Sequence, residues 1–463
     1  MTVLTALPAR TRIISTAHRR TSTGAHLTAN RTAVSGFLSG EPAGPLDRPL
    51  TLLVLGAGAR GAAYADLAAQ RGDRASVVAV AEPRANVRKA FADKHGITDV
   101  ALRFADWREA ASRPRMADIA VIAVQDADHL EATEAFADLG YQILLEKPMA
   151  TTEDGCEAIA QAARRNGTAL AVAHVMRYTP YTVELKRLIA QGVIGDIVSV
   201  QHLEPIGYYH YAHSFVRGNW RRTDESSFLL LAKSCHDIDW ITDLVDARVK
   251  RVSSFGSLKH FTAAEAPHGS TERCVTCPLR DDCAYSATRI YGDGLRRGGT
   301  KRYFANIATA GDLTEPGLAR ALADGPYGRC VYRSDNDVVD HQVVNMEFDG
   351  GVTASFTLTA FTPLENRHTK IFGAQGQITG DGREIRVYDF TSERTMVIDT
   401  SPDGSSAAEG HAGGDEGFFN AYLDALYEGR PELIVSDIEA SLASHRVVFA
   451  AERARRAGAV VEL

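Results

Sequence analysis

One stretch limits the folds open to this chain more than any other. The apolar run LTLLVLG at 50–56 passes without a break into Gly56-Ala57-Gly58-Ala59-Arg60-Gly61 and on into the helical AAYADLAAQRG. A run with no polar alternation is a strand buried on both faces. A glycine-rich turn between such a strand and a helix opens a doubly wound sheet. The pattern repeats: apolar strands at 76–82, 118–124, 142–146 and 169–174 alternate with helices at 85–95, 129–139 and 152–166. That alternation predicts an α/β fold with an N-terminal Rossmann domain, its parallel strands covered by helices on both sides. The glycine spacing is weak evidence alone, but it follows a strand, opens a helix, and has Glu82 ending the second strand. This is the context of a dinucleotide site. Gly56 is expected to make the turn, Gly58 to admit the pyrophosphate and Gly61 to let helix and strand pack closely. Ala59 and Arg60 lie at the helix N-terminus, where free N–H groups attract phosphate. Glu82 is expected to accept from the adenosine ribose hydroxyls and to repel a 2′-phosphate, favouring NAD over NADP, with Arg84 acting against that preference.

Ligands of such sheets bind beyond the carboxyl ends of the strands. Two of those ends read Val124-Gln125-Asp126, with His129 opening the next helix, and Glu146-Lys147-Pro148. Gln125, His129, Glu146 and Lys147 are therefore expected at the cofactor. A lysine beside the nicotinamide can hydrogen-bond a reacting hydroxyl and favour developing alkoxide. Further on, His236 lies in the apolar LLLAKSCHDIDWI, and its near-neutral pKa suits a general base.

Taken together, GAGARG, the acid at the second strand end, VQDADH, EKP and the later HDID at 236–239 resemble the glucose–fructose oxidoreductase, inositol dehydrogenase and rhizopine-catabolism (Gfo/Idh/MocA) family. The resemblance spans about residues 50–456. It implies a second α/β domain with a large, open, mostly antiparallel sheet. It also implies hydride transfer between NAD(P) and a ring carbon of a sugar or cyclitol, with Lys147 and His236 catalytic, and association into homo-oligomers through the open sheet. Two positions depart from the pattern. The family's usual Asp four residues before the histidine is Ala232 here, followed by Lys233, and its usual Asn at the domain junction is His174. The missing Asp brings in a second reading, an NAD-dependent glycoside hydrolase that oxidises the ring transiently with no net redox change.

The second domain is expected from residue 174, with a helix over 177–195, a first strand over 196–205 and alternating strands from 337. Asp415 is expected to cap a helix running to about 428, and Ser436 or Asp437 to open the last one, ending near 456. The insert YYHYAHSFVRGNWRR at 208–222 gathers aromatic rings and cationic donors. Aromatics stack on sugar faces and arginine offers forked donors, so Tyr209, His213, Arg217 and Trp220 are expected to line the substrate pocket, with Arg177 and Asp239. Arg221 and Arg222 extend this to an anionic or hydroxyl-rich substrate. His411, in a Ser/Gly-rich loop, is a further candidate.

Cys274-x2-Cys277-x5-Cys283 lies in a polar loop within an insertion around 260–330. A CxxC pair with a third cysteine nearby is metal-like where disulfides are rare, so a structural zinc is expected, with Cys330 or His268 as fourth ligand. Cys156 and Cys235 read as buried apolar residues.

Composition excludes other classes. With 51 Lys+Arg against 58 Asp+Glu the net charge is −7, unlike a nucleic-acid binder. No apolar run of transmembrane length occurs. Six cysteines in 463 residues are too few for a disulfide scaffold. The expected partner is a small carbohydrate-like molecule, and the expected location the cytoplasm. Residues 1–49, rich in Arg, Thr and Ser, are expected to be a disordered leader. Residues 50–173 are assigned to the Rossmann domain, 174–456 to the substrate domain and 457–463 to a tail.

Overall fold

The computed structural model describes residues 48–401 and 412–463. The assigned leader, apart from Arg48 and Pro49, lies outside the described residues, as does His411. Arg48 is tied to the domain, donating to the Asp118 carboxylate at 2.6 and 2.8 Å.

Six parallel strands form the first sheet: β1 (Leu50–Leu55), β2 (Ala75–Ala81), β3 (Arg103–Phe104), β4 (Ile119–Ile122), β5 (Gln142–Leu145) and β6 (Leu170–Val172), in the order β3-β2-β1-β4-β5-β6. The reason for the unbroken apolar strands is visible in the packing. Leu53 and Leu55 point to one face, against Phe136 and Ile159 of helices His129–Asp138 and Glu153–Asn166. Leu52 and Val54 point to the other, against Tyr64 and Phe91 of helices Ala59–Gln70 and Ala85–Lys94. That second face is completed from far along the chain by helix Gly414–Glu428, whose Phe418 and Phe419 rings lie 6.2 and 6.1 Å from Tyr64. A segment assigned to the substrate domain thus closes the Rossmann core. Asp415 does not cap this helix. It sits in the first turn, and Gly413 (φ +84°) precedes the helix.

The second sheet has nine strands: β7 (Ile197–Pro205), β8 (Val249–Ser257), β9 (His341–Phe348), β10 (Thr353–Thr359), β11 (His368–Gly373), β12 (Gly376–Gly380), β13 (Glu384–Asp389), β14 (Arg394–Asp399) and β15 (Val461–Glu462). Their order is β14-β13-β12-β11-β7-β10-β9-β8-β15, antiparallel except for β7 beside β10. Helices Leu229–Val245 and Ile438–Ala457 cover one face, burying Trp240, Ile241 and Val448. The other carries Gln201, Arg251, Asn345 and Glu347 and stays open.

Three differences from the sequence reading have simple causes. The helix expected over 177–195 is Pro180–Ala190, because Thr179 caps it through Thr182 N–H and proline takes its first turn. VKRVSSFGS (β8) lacks a clean alternation and was not predicted. Val461–Glu462, within the expected tail, pairs with Val252 and Arg251 at the sheet edge. The insertion builds its own small core from Ile290, Tyr291, Phe304, Leu318 and Leu322. Among the described residues no helix is long and apolar enough to cross a membrane.

Candidate active site

The turn after β1 requires its glycines. Gly56 has φ +88°, and a Cβ there would lie 2.3 Å from the Ala123 carbonyl oxygen. A Cβ on Gly61 would lie 2.0 Å from the Gly56 oxygen. Gly58 differs: the nearest atom to a Cβ there is Arg84 Nη2 at 3.9 Å, so its glycine leaves an open cradle rather than relieving a clash. Gly58 precedes helix Ala59–Gln70 with no side-chain cap, leaving N–H groups free toward that cradle. These features fit a dinucleotide pyrophosphate. Glu82 lies at the end of β2 and its Oε2 accepts from Ala57 N–H at 3.0 Å. Both its oxygens also accept from Arg84, at 2.7 and 3.0 Å. Burial acts to raise its pKa, but the Arg84 hydrogen bonds prevail and the carboxyl lies below its ordinary range. The acid and the cation weighed against each other in the sequence form one ion pair.

Beyond β5, Glu146 is buried and accepts from Arg60 Nε and the Tyr64 hydroxyl, both at 2.7 Å. Burial opposes its ionisation and the Arg60 charge overcomes this, so its pKa is lowered. Arg60 also clamps Asp415 at 2.6 and 3.0 Å. Arg60 and Glu146 thereby fix the glycine turn, the EKP loop and helix Gly414–Glu428 to one another. His129 is fully buried, its Nδ1 2.7 Å from the Pro148 carbonyl oxygen, so it supports the same loop from below. Gln125 is exposed at the end of the segment after β4.

Lys147 Nζ donates to the Ala232 carbonyl at 2.8 Å. Helix Leu229–Val245 is interrupted at Ser234 (φ −117°, ψ 16°). Where the family's Asp is missing, the lysine is held by a backbone oxygen two residues before this break. His236, one turn on, is buried and lines the same cavity as Lys147. That cavity, about 710 Å³, runs from Ala59 and Arg60 past Lys147 and His236 to β7 and the loop before β11.

Its far wall holds residues that sequence reasoning missed. Glu204 lies 2.9 Å from Lys233 Nζ and 2.9 Å from Arg367 Nε. Arg367 also reaches the buried Asp237, whose other partner is His202 Nε2 at 3.1 Å. Burial alone would raise Asp237, but Arg367 and His202 hold it well below the usual carboxylate range. Glu204 ends a strand, as Glu82 and Glu146 do, and that signal was available. Arg367 lies in an irregular loop and carried none. Thr300, Tyr303 and Phe304 of the insertion also line the cavity.

The expected substrate residues are mostly elsewhere. Arg177 grips Asp239 with two 2.7 Å hydrogen bonds in the interior, and His174 Nδ1 lies 3.6 Å from the same carboxylate. Burial pushes His174 down to about 3 and His445, 5.4 Å from it, down to about 4. His213 is buried, its Nδ1 2.9 Å from the Tyr291 hydroxyl and its ring stacked on Tyr327. Tyr209 packs edge-on against Phe304. Trp220 Nε1 donates to Asp126 at 3.3 Å, at the Rossmann strand ends. Arg217 is buried beneath the cysteines. Arg221 and Arg222 spend their charge on Asp335 and Asp224. Tyr209, His213 and Arg217 share one cause: this part of 208–222 turns inward to the insertion, and from the same segment His210 lines the cavity instead.

Family models match both halves of the chain: an oxidoreductase family NAD-binding Rossmann fold over residues 50–174, and the oxidoreductase family C-terminal alpha/beta domain over 186–463. The oxidoreductase YteT of Bacillus subtilis (strain 168) is 25% identical over 340 residues, 69% of this chain and 74% of its own length. Among solved structures, levoglucosan dehydrogenase in complex with NADH and levoglucosan superposes with TM-score 0.65 at 17% identity, over 90% of this chain and 99% of that one. An inositol dehydrogenase homolog from Azotobacter vinelandii, complexed with NADH and myo-inositol, gives 0.62 at 14%, over 92% and 100%. These two likenesses support the fold. With both domain models matched in order across most of its length, the chain belongs to the Gfo/Idh/MocA family of NAD-binding oxidoreductases.

Proposed function

We propose that this protein is an NAD-dependent dehydrogenase acting on a CH–OH carbon of a sugar or cyclitol ring. The observation that carries the reading is that Lys147 and His236 line one cavity reaching the glycine turn. NAD, when bound, supplies the hydride acceptor. The chain's own residues do the rest. Gly56, Gly58 and Gly61, with the N–H groups at Ala59 and Arg60, hold the pyrophosphate. The Glu82 carboxylate would accept from the ribose hydroxyls, and because Arg84 is paired with it and balances its charge, the choice between NAD and NADP is left to the cofactor arms of the screen below. Lys147, anchored on the Ala232 carbonyl, donates a hydrogen bond to the reacting hydroxyl and favours negative charge as it develops there. His236 accepts the proton.

Substrate class follows from the lining. Glu204, Lys233 and Arg367 offer acceptors and donors side by side, and Trp240, Pro205 and Leu364 add apolar surface. A ring bearing several hydroxyls on an apolar skeleton suits such a mixture. The similar proteins named above hold levoglucosan and myo-inositol with NADH, and we place this protein's substrate in the same chemical class. The protein is assigned to the cytoplasm, with copies meeting through the open face of the nine-stranded sheet.

The experiment is a screen of free sugars, cyclitols, anhydrosugars and glycosides with NAD and with NADP, following reduced cofactor. Net NADH formation is expected. Lys147→Ala and His236→Ala should each lower kcat by about 10²–10⁴-fold while leaving NAD binding intact. Release of a glycosidic leaving group with no accumulating NADH would overturn the reading, as would full activity in the Lys147→Ala protein.

A further inference from the structure

Arg217 presents a problem in electrostatics. It is 1% exposed, yet its donors go to the carbonyls of Arg329 and Tyr285, both at 2.8 Å, and to Cys274 Sγ at 3.6 Å. Among the described residues no carboxylate neutralises it, and its Nη1 makes no hydrogen bond of good geometry, the neutral Tyr291 phenol beside it giving at most a weak hydrogen bond and no counter-charge. A buried cation without a counter-charge is costly. What it faces is a small void of about 30 Å³, and four cysteines line that void: Cys274, Cys277, Cys283 and Cys330. Their convergence is built into the backbone. Arg273 and Arg329 form an antiparallel bridge, and Cys330 N–H donates to the Glu272 carbonyl at 2.9 Å, which sets the Cys330 loop beside the CxxC turn. Exposed His268, the other expected fourth ligand, does not line the void.

We infer that these four cysteines bind one zinc ion as thiolates, with Arg217 as the buried counter-charge. As the thiols stand, no three potential ligands among the described residues are close enough together to hold a metal, so binding draws the sulfurs inward as their protons leave to solvent. Four thiolates around Zn²⁺ carry a net charge of −2. The guanidinium offsets half of it, and Ala287 N–H, already 3.4 Å from Cys274 Sγ, supports the sulfur. Charge and size select this occupant. A disulfide carries no charge and leaves Arg217 uncompensated, and a void of 30 Å³ suits one ion rather than an iron–sulfur cluster. The zinc has a structural role. Behind the loop stand helices Ala287–Arg297 and Thr300–Ala308, and the second supplies Thr300, Tyr303 and Phe304 to the cavity wall.

The test is elemental analysis of full-length protein purified without a metal-affinity column. About one zinc per chain is expected, with the four thiols unreactive to a thiol reagent until zinc is stripped. Cobalt(II) in its place should give the visible bands of a tetrahedral thiolate site. Cys277→Ser should lose those bands. Measured by chelator competition, Arg217→Met should weaken zinc by about 10–100-fold, and Arg217→Lys, which keeps the charge, by less. Zinc-free protein with reactive thiols, iron with acid-labile sulfide, or a disulfide among the four would each overturn the inference. None of these readouts depends on dehydrogenase activity.

Discussion

Replacing Arg177 with Met separates a structural role from the substrate role that its position suggested. Arg177 and Asp239 are 7% and 1% exposed and share two 2.7 Å hydrogen bonds, and Arg177 also reaches Asp243 at 3.0 Å. Removing the cation leaves a buried carboxylate unpaired, at a cost of about 3–5 kcal/mol. Met retains much of the volume, so little of that cost is a cavity. The structure also supplies a pH signature. His174 Nδ1 stands 3.6 Å from Asp239, and in the intact protein burial keeps its pKa near 3. With Arg177 gone, its lowering charge is lost and Asp239 can pair with a protonated His174, so the folded pKa of His174 rises while burial still holds it below the unfolded value near 6.5. A histidine held below its unfolded pKa costs stability as the pH falls through that unfolded value, and the variant incurs less of this loss than the wild type. The gap between variant and wild type should therefore be full at pH 8 and narrower at pH 5.5, by at most about 1.4 kcal/mol. Urea unfolding at the two pH values measures this. A loss under about 1 kcal/mol together with a raised KM would show that Arg177 serves the substrate, and a gap unchanged with pH would refute the His174 argument.

Three further outcomes are expected. Gly56→Ala, forced against the Ala123 carbonyl at φ +88°, should lose about 1–3 kcal/mol and all dinucleotide binding. Gly58→Ala has room for its methyl group and should keep wild-type stability within about 0.5 kcal/mol while weakening the dinucleotide, as calorimetry would report. Acid should destabilise the wild type early. His174, His213 and His445 are held neutral by burial, down to about 3, 3 and 4. The unfolded chain takes up protons near pH 6.5 that the fold refuses, so these three alone should lower stability by roughly 4 kcal/mol between pH 7.5 and 5.5. His210, which desolvation holds well below its ordinary value, adds to the fall. A flat profile across that window in urea titrations would count against those buried neutral rings.

The sequence by itself determined the first domain and one side of the site. Strands apolar at every position have only one stable setting, between two helical layers, and that setting places the turn at 56–61 and the EKP loop at the carboxyl edge of the sheet. Lys147 and His236, which the structure brings to one cavity, were legible as candidates because each stands in a short local pattern. What the sequence did not decide is whatever depends on partners distant along the chain. Helix Gly414–Glu428 was assigned to the second domain, but its Phe418 and Phe419 find their burial against Tyr64, some 350 residues earlier. The cationic, aromatic 208–222 segment reads as a binding surface, but the insertion offers a core that takes up His213 and Arg217. Arg367 gives no local signal at all, and only the packing of its loop against β7 brings it to Glu204. Periodicity reports whether a side chain is buried, because burial repeats with the backbone. Which charge it meets there is set by contacts that no local pattern encodes, so Ala232 looked like a lost carboxylate until the tertiary structure put its carbonyl on Lys147.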